Sequence, residues 1–176
     1  MERHVAPALI ETLRLRGERI GPEHEAALTA LLGDPRVGAT LGGVQSPDDV
    51  RLGIARHSDG WHAHGFDYWM FLDRETGAPV GRGGLSRKHV GGRDEIEVGW
   101  AVVPELWGAG YATEIGGASV RVAFDALGLP DVVAYTLPDN LASRRVMEKL
   151  GFGYEREVVH ADLPHVLYRI YSPGSA

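Results

Sequence analysis

Seven consecutive residues carry the clearest chemistry in this chain: Trp107-Gly108-Ala109-Gly110-Tyr111-Ala112-Thr113. They lie between a strand-like run, Glu95 to Val103, and a long helix-like run, Tyr111 to Leu127. A glycine-rich turn that opens a helix after a strand leaves successive N–H groups unpaired and pointing outward. Small residues let a ligand approach the backbone, and the helix dipole adds roughly half a positive charge at that end. The turn is a cradle for an anion, and it suits a phosphate-bearing cofactor. Other chemistry is excluded by residue type. The chain has no cysteine, which removes disulfides, thiolate metal sites and an acyl-cysteine intermediate. His57, His62 and His64 match no standard ligand spacing and have no arranged acidic partner, so no metal is expected.

The elements that must position this turn follow from periodicity. Leu9 to Leu15 alternates as a first strand. Pro22 to Leu32 gathers Ala26, Ala27, Ala30 and Leu31 into a narrow stripe and reads as a helix ended by Gly33. Ser46-Pro47-Asp48-Asp49 starts a second helix, with a serine cap, a first-turn proline and two aspartates against the dipole; it runs to about Arg56. Asp67 to Asp73 and Ala78 to Leu85 form a hairpin around Arg74-Glu75-Thr76-Gly77, and Glu95 to Val103 continues the meander. After the long helix come a strand from Asp131 to Thr136, a helix from Asn140 to Leu150 closed by Gly151, and strands from Gly153 to His160 and His165 to Tyr171. The unit from Glu95 to Thr136 is a right-handed parallel crossover among antiparallel hairpins. The expected class is α/β (α+β): a mixed, mostly antiparallel sheet of about seven strands with one central parallel pair, flanked by about four helices.

A chain of 176 residues is most simply one domain, 1–176, with an ordered core of about 8–171. No apolar run approaches the roughly 18 residues of a membrane span. Met1-Glu2-Arg3-His4 has no leader pattern, so a cytoplasmic protein with no membrane partner is expected. The formal charge of −6 speaks against a nucleic-acid partner, which needs a basic footprint. It mildly favours cationic substrates.

Two familiar phosphate cradles and one nucleophile turn fail on residue type. A P-loop requires a lysine after its glycines, and none follows here. A dinucleotide fingerprint requires a third glycine where Thr113 stands, and an acid at the end of the next strand; that strand ends at Tyr135-Thr136, with Asp131 at its wrong end. A serine-hydrolase elbow is also missing: Gly117-Ala118-Ser119-Val120-Arg121 lacks the closing glycine and lies mid-helix.

Glu97-Val98-Gly99-Trp100, then Pro104 to Glu114 with the turn inside it, then Asn140-Leu141-Ala142-Ser143-Arg144-Arg145-Val146-Met147-Glu148-Lys149-Leu150-Gly151-Phe152 together resemble the GCN5-related N-acetyltransferase superfamily. Within it the chain is similar to the branch of ribosomal-protein N-terminal acetyltransferases. The resemblance spans roughly Leu9 to Tyr171. Tryptophan replaces the usual first residue of the loop, at little cost, because the loop works through backbone N–H groups. The resemblance implies acetyl-CoA as donor, its pyrophosphate on the amides of Gly108 to Thr113. A break in strand pairing near Val102 and Val103 would free backbone groups for the pantetheine arm, consistent with Pro104 ending the ladder there. Asn140 would also contact that arm.

Acetylating an amine requires that the amine lose a proton, the thioester carbonyl be polarised and the departing thiolate gain a proton. Glu97 is the base candidate. In a strand it shares a face with Glu95, Gly99 and Ala101, where small neighbours leave room for a cleft and a water. The alternative is that both carboxylates face solvent. Ser143, in the first turn of its helix, is the acid candidate, or it merely completes the helix start. The resemblance often places a tyrosine near here; Met147 stands in its place. His160 and Asp162 border the acceptor site implied by the resemblance, and the aromatic-rich stretch containing Trp61, His62, His64, Tyr68 and Trp69 would shape it. The acceptor is a protein N-terminal amine or a small amine such as an amino acid, polyamine or antibiotic. A non-catalytic acyl-CoA sensor is the alternative to an enzyme, and a homodimer is compatible with the sequence.

Overall fold

Residues 4–175 are described by a computed structural model, in which the alternating runs build one eight-stranded sheet. The strands are β1 (Leu9–Glu11), β2 (Leu15–Arg19), β3 (Tyr68–Asp73), β4 (Pro79–Val90), β5 (Arg93–Val102), β6 (Asp131–Thr136), β7 (Gly153–His160) and β8 (Leu163–Tyr171). Their order is β1-β2-β3-β4-β5-β6-β8-β7, antiparallel throughout except for the parallel pair β5–β6. The helices are α1 (Glu25–Leu32), α2 (Pro35–Leu41), α3 (Pro47–His64), α4 (Tyr111–Arg121) and α5 (Leu141–Lys149). None of the described helices is long and apolar enough to cross a membrane.

Strand alternation gives each sheet face its own core. Trp69, Phe71, Leu85, Val98 and Val102 pack against Ile115 and Ala118 of α4 and Met147 of α5. On the other face Tyr68, Met70 and Ala101 meet Leu28 and Leu31 of α1 and Val50 and Ile54 of α3.

The mixed α/β class is as expected, with local corrections. The single strand expected from Leu9 to Leu15 is two strands. The Thr12 hydroxyl accepts the Leu15 N–H at 3.0 Å and the Thr12 N–H donates to the Leu15 carbonyl at 2.8 Å, reversing the chain and leaving Leu13 88% exposed. A threonine side chain that offers the backbone a local partner breaks a strand that alternation alone would continue. Helix α2 was not expected; Asp34 caps it by accepting the Arg36 N–H at 2.8 Å, with Pro35 in its first turn. Helix α3 runs past Arg56 to His64, because Val50, Ile54 and Trp61 extend one buried stripe.

The parallel pair matters most for function. β5 and β6 are in register only at Glu97 and Val133 among the described residues, and the two strands part beyond that point. β5 itself stays paired with β4 as far as Val102, and the Val103 N–H donates to the Val80 carbonyl at 2.9 Å. The break expected at Val102 and Val103 thus lies earlier and on the other side of the strand.

Candidate active site where two clefts meet at Glu97

The cradle is built by two left-handed glycines, Gly108 at φ 79° and Gly110 at φ 83°, a region costly for other residues. Gly110 precedes α4 and carries no side chain to occupy the helix start. Nothing lies within 4 Å of where a Cβ on Gly108 would sit, so the backbone faces open space. The Trp107 indole donates to the Val102 carbonyl at 2.8 Å and pins the loop to the end of β5.

The turn between β1 and β2 braces the loop from outside. The Glu114 carboxylate accepts the Thr12 hydroxyl at 2.6 Å, the Arg14 N–H at 2.8 Å and the Arg14 Nε at 2.7 Å. Arg14 also donates to the Ala109 carbonyl at 3.0 Å and lies 3.9 Å over the Tyr111 ring. Burial pushes the Glu114 carboxyl up, but these bonds outweigh it and hold it below the usual glutamate range. Ala109 is therefore a bracing point, with its carbonyl turned to Arg14.

A cleft of about 730 Å³ opens where β5 and β6 part, walled by Val102, Trp107, Gly108, Tyr111, Ala112 and Thr113 on one side and α5 on the other. Asn140 and Ser143 line it from α5, but Asn140 is largely committed to the fold. Its Oδ1 accepts the Ser143 N–H at 3.2 Å and its Nδ2 donates to the Thr136 hydroxyl at 3.0 Å.

A second cleft, also about 730 Å³, lies across the sheet between α3 and the β7–β8 turn, with His57, Asp67, Ser86, Lys88, His160 and His165 on its walls. The two clefts share Tyr68, Arg82, Glu97 and Tyr135. Glu97 accepts one hydrogen bond, from the Ser86 hydroxyl at 3.2 Å. Burial raises its pKa above the usual glutamate range, against the opposing pull of Lys88, the Ser86 bond, Arg82 and His165.

The room expected beside Glu97 is partly filled. The Tyr68 side chain lies over Gly99, where a Cβ would overlap its hydroxyl, and the Asp67–Tyr68 backbone closes on Gly84 in the same way. His57 stacks on that ring at 5.1 Å and pairs with Asp67 at 2.6 Å. Tyr135, His160 and His165 form an edge-to-face triad with centroids 5.0 to 5.7 Å apart, and burial holds the His160 pKa down.

Two expected acceptor contacts lie elsewhere. Trp61 and Trp69 are buried against one another at 5.1 Å, and their indoles donate to the Tyr68 and Pro7 carbonyls. Neither lines a cleft, because alternation turns Trp69 to the face opposite Tyr68. Asp162 sits in the β7–β8 turn at φ 61°, where its neighbours Ala161 and Leu163 form the wall. Tyr68, from the aromatic stretch expected to shape the acceptor site, borders both clefts, whereas Arg82, Tyr135 and His165 went unrecognised. The pairing of Ser86 with Glu97 and of Arg82 with Ala101 puts Arg82 on the Glu97 face, a register that one strand cannot reveal. Among the described residues no three His, Asp or Glu side chains cluster as a metal site.

Residues 13–153 match the model of the acetyltransferase (GNAT) domain family. The chain is 26% identical over 164 residues to the uncharacterized protein YkkB of Bacillus subtilis strain 168, covering 93% of this chain and 95% of that one. In structure it is similar to an acetyltransferase from Agrobacterium tumefaciens strain C58, with a TM-score of 0.83 and 24% identity over 98% of this chain and 99% of the other. It is also similar to RimL, a ribosomal L7/L12 alpha-N-protein acetyltransferase in complex with coenzyme A, with a TM-score of 0.73 and 17% identity over 93% and 98% of the two chains. At these identities the structural likenesses speak for the fold alone.

Proposed function

The chain belongs to the acetyltransferase (GNAT) family, and from that premise we propose that it transfers the acetyl group of acetyl-CoA directly to a primary amine held in the second cleft. The observation that carries this reading is the position of Glu97, which both clefts share. Acetyl-CoA, when bound, supplies an activated carbonyl and a thiolate leaving group. The residues present fit it: the open amides from Gly108 to Thr113 receive the pyrophosphate, and the stretch of β5 beyond Glu97, unpaired toward β6, receives the pantetheine arm.

An amine is protonated at neutral pH and attacks only after losing its proton. Glu97 accepts that proton, directly or through one water. The C–N bond forms as the C–S bond breaks; the Ser143 hydroxyl, on the wall of the donor cleft, protonates the departing sulfur, and the second amine proton, shed as the neutral amide forms, restores that hydroxyl through water. The cleft volume of about 730 Å³ falls within the roughly 300–1,000 Å³ of small-molecule sites, which favours a small amine. A protein N-terminal amine is the second reading, favoured by an exposed apolar side chain on the cleft wall, Leu163, which is 44% exposed.

A thiol-release screen of acetyl-CoA against amino acids, polyamines and short peptides tests both readings. Turnover with small amines above that with peptides is expected, and the reverse order selects the second reading. Coenzyme A binding without thiol release from any amine would identify a sensor instead of an enzyme.

A further inference from the structure

We propose that the acceptor cleft selects amines that carry a carboxylate beside the amine, as amino acids do, and that Arg82 receives the carboxylate. The proposal rests on the small-amine reading of the second cleft and names its substrate class. Arg82 projects from β4 on the same sheet face as Glu97, and both residues border both clefts. Its Nε is buried without a hydrogen-bond partner, and its guanidinium makes no ion pair among the described residues. Arg14, Arg36, Arg51 and Arg169 are matched by Glu114, Asp34, Glu25 and Glu95. Arg156 also buries one nitrogen without a partner, but it donates to the Gly91 carbonyl at 3.1 Å and lines neither cleft. Arg82 is half-buried, and a buried Nε with no acceptor is costly; a planar fork of N–H donors facing the clefts suits a carboxylate in two-point contact.

The carboxylates at hand do not meet this need. Asp67 accepts from His57 and from the Tyr68 N–H, and Glu97 accepts from Ser86 outside ion-pair distance of Arg82. The Tyr68 ring, 5.1 Å from the guanidinium, offers a π face but no acceptor oxygen. The junction thus presents a separated negative and positive group on one wall. A zwitterion with its ammonium toward Glu97 and its carboxylate toward Arg82 matches both. A peptide N-terminus places a neutral carbonyl where the carboxylate would be, and a polyamine brings further positive charge into a cleft where Arg56, Arg82, Arg87 and Lys88 already outnumber Asp59, Asp67 and Glu97.

The test compares amino acids with their decarboxylated amines and their amides in thiol release, using wild-type enzyme, Arg82→Gln and Arg82→Lys. Wild type is expected to favour the amino acid by about 100-fold in kcat/KM. Arg82→Gln should raise KM for the amino acid and collapse that preference to within about 3-fold; Arg82→Lys should recover part of it. Equal wild-type rates for amino acid and decarboxylated amine would overturn the proposal without any variant. A fall in kcat of equal size for both amines in Arg82→Gln would overturn it too, since Arg82 would then act on the thioester. Calorimetric binding of N-acetyl amino acids against their amides, with coenzyme A present, decides the matter where no amine turns over. Tighter binding of the acid supports the carboxylate site even then, and equal binding overturns it.

Discussion

Glu95 and Glu97 project from one face of β5, yet Glu95 is locked by Arg169 at 2.7 and 3.0 Å while Glu97, two residues on, accepts a single bond from Ser86 at 3.2 Å. The first carboxylate is spent on the fold, and the second keeps lone pairs free at the mouth of two clefts. The sheet supplies the difference. Arg169 on β8 sits opposite Val133 of β6 and reaches Glu95, Asp131 and Glu155, so it ties four strands together. Among the described residues no comparable cation stands in contact with Glu97.

Replacing Arg169 by methionine strands three carboxylates that it now partners. Breaking such a partly buried network costs about 3–5 kcal/mol. A fall of that size in urea-unfolding free energy is expected at pH 7, shrinking as the carboxylates are protonated in acid.

The raised pKa of Glu97 has a consequence for stability with a definite sign. Burial makes the folded chain hold this proton more tightly than the unfolded chain does. The favourable contribution is complete below the unfolded pKa of about 4.3 and is lost as pH rises through the higher folded value. Glu97→Gln removes that loss. The variant should melt above wild type at pH 7.5, and the gap should close near about pH 4; melting curves at the two pH values check it.

Glu114→Ala leaves Thr12 and Arg14 without their shared acceptor and frees the Ala109 side of the loop. We expect a loss of about 2 kcal/mol in stability and about a tenfold weaker coenzyme A affinity, since bonds to charged groups are worth more than neutral ones. Calorimetry with coenzyme A measures the second effect. Unchanged affinity would mean that the β1–β2 turn does not position the cradle.

Gly99→Ala places a methyl group against the Tyr68 hydroxyl. Tyr68 is buried and stacked on His57, so it yields only by shifting the junction. A cost of about 1–3 kcal/mol is expected from overpacking, with a loss of turnover and little change in coenzyme A binding. Trp69→Ala, by contrast, should cost about 3–5 kcal/mol as a core truncation, and Trp69→Phe should leave acceptor KM unchanged.

The donor side of the site was legible because it is local. Gly108 and Gly110 lie within one turn, and the residue types alone say that the backbone must be open there. The crossover and helices α1, α4 and α5 were readable from period and caps, while α2 went unread and α3 was read eight residues short. The junction was not, because it is made by register. Tyr68, Arg82, Glu97 and Tyr135 come from four strands, and nothing within one strand states which residue of the next lies opposite. The same blindness counted Trp69 among the acceptor-site residues and made one strand of Leu9 to Leu15, where a single threonine side chain turns the chain.

Glu97→Gln provides the most direct test of acetyl transfer through this junction, with thiol release and coenzyme A affinity measured on the same preparation. A loss of about 1,000-fold in kcat/KM is expected, as for removal of a general base, together with loss of the acidic limb of the wild-type pH profile. Coenzyme A affinity should stay within about 2-fold, since the cradle and the β5 backbone that receive it do not include the Glu97 side chain. Near-wild-type turnover by Glu97→Gln with every accepted amine would contradict the assignment.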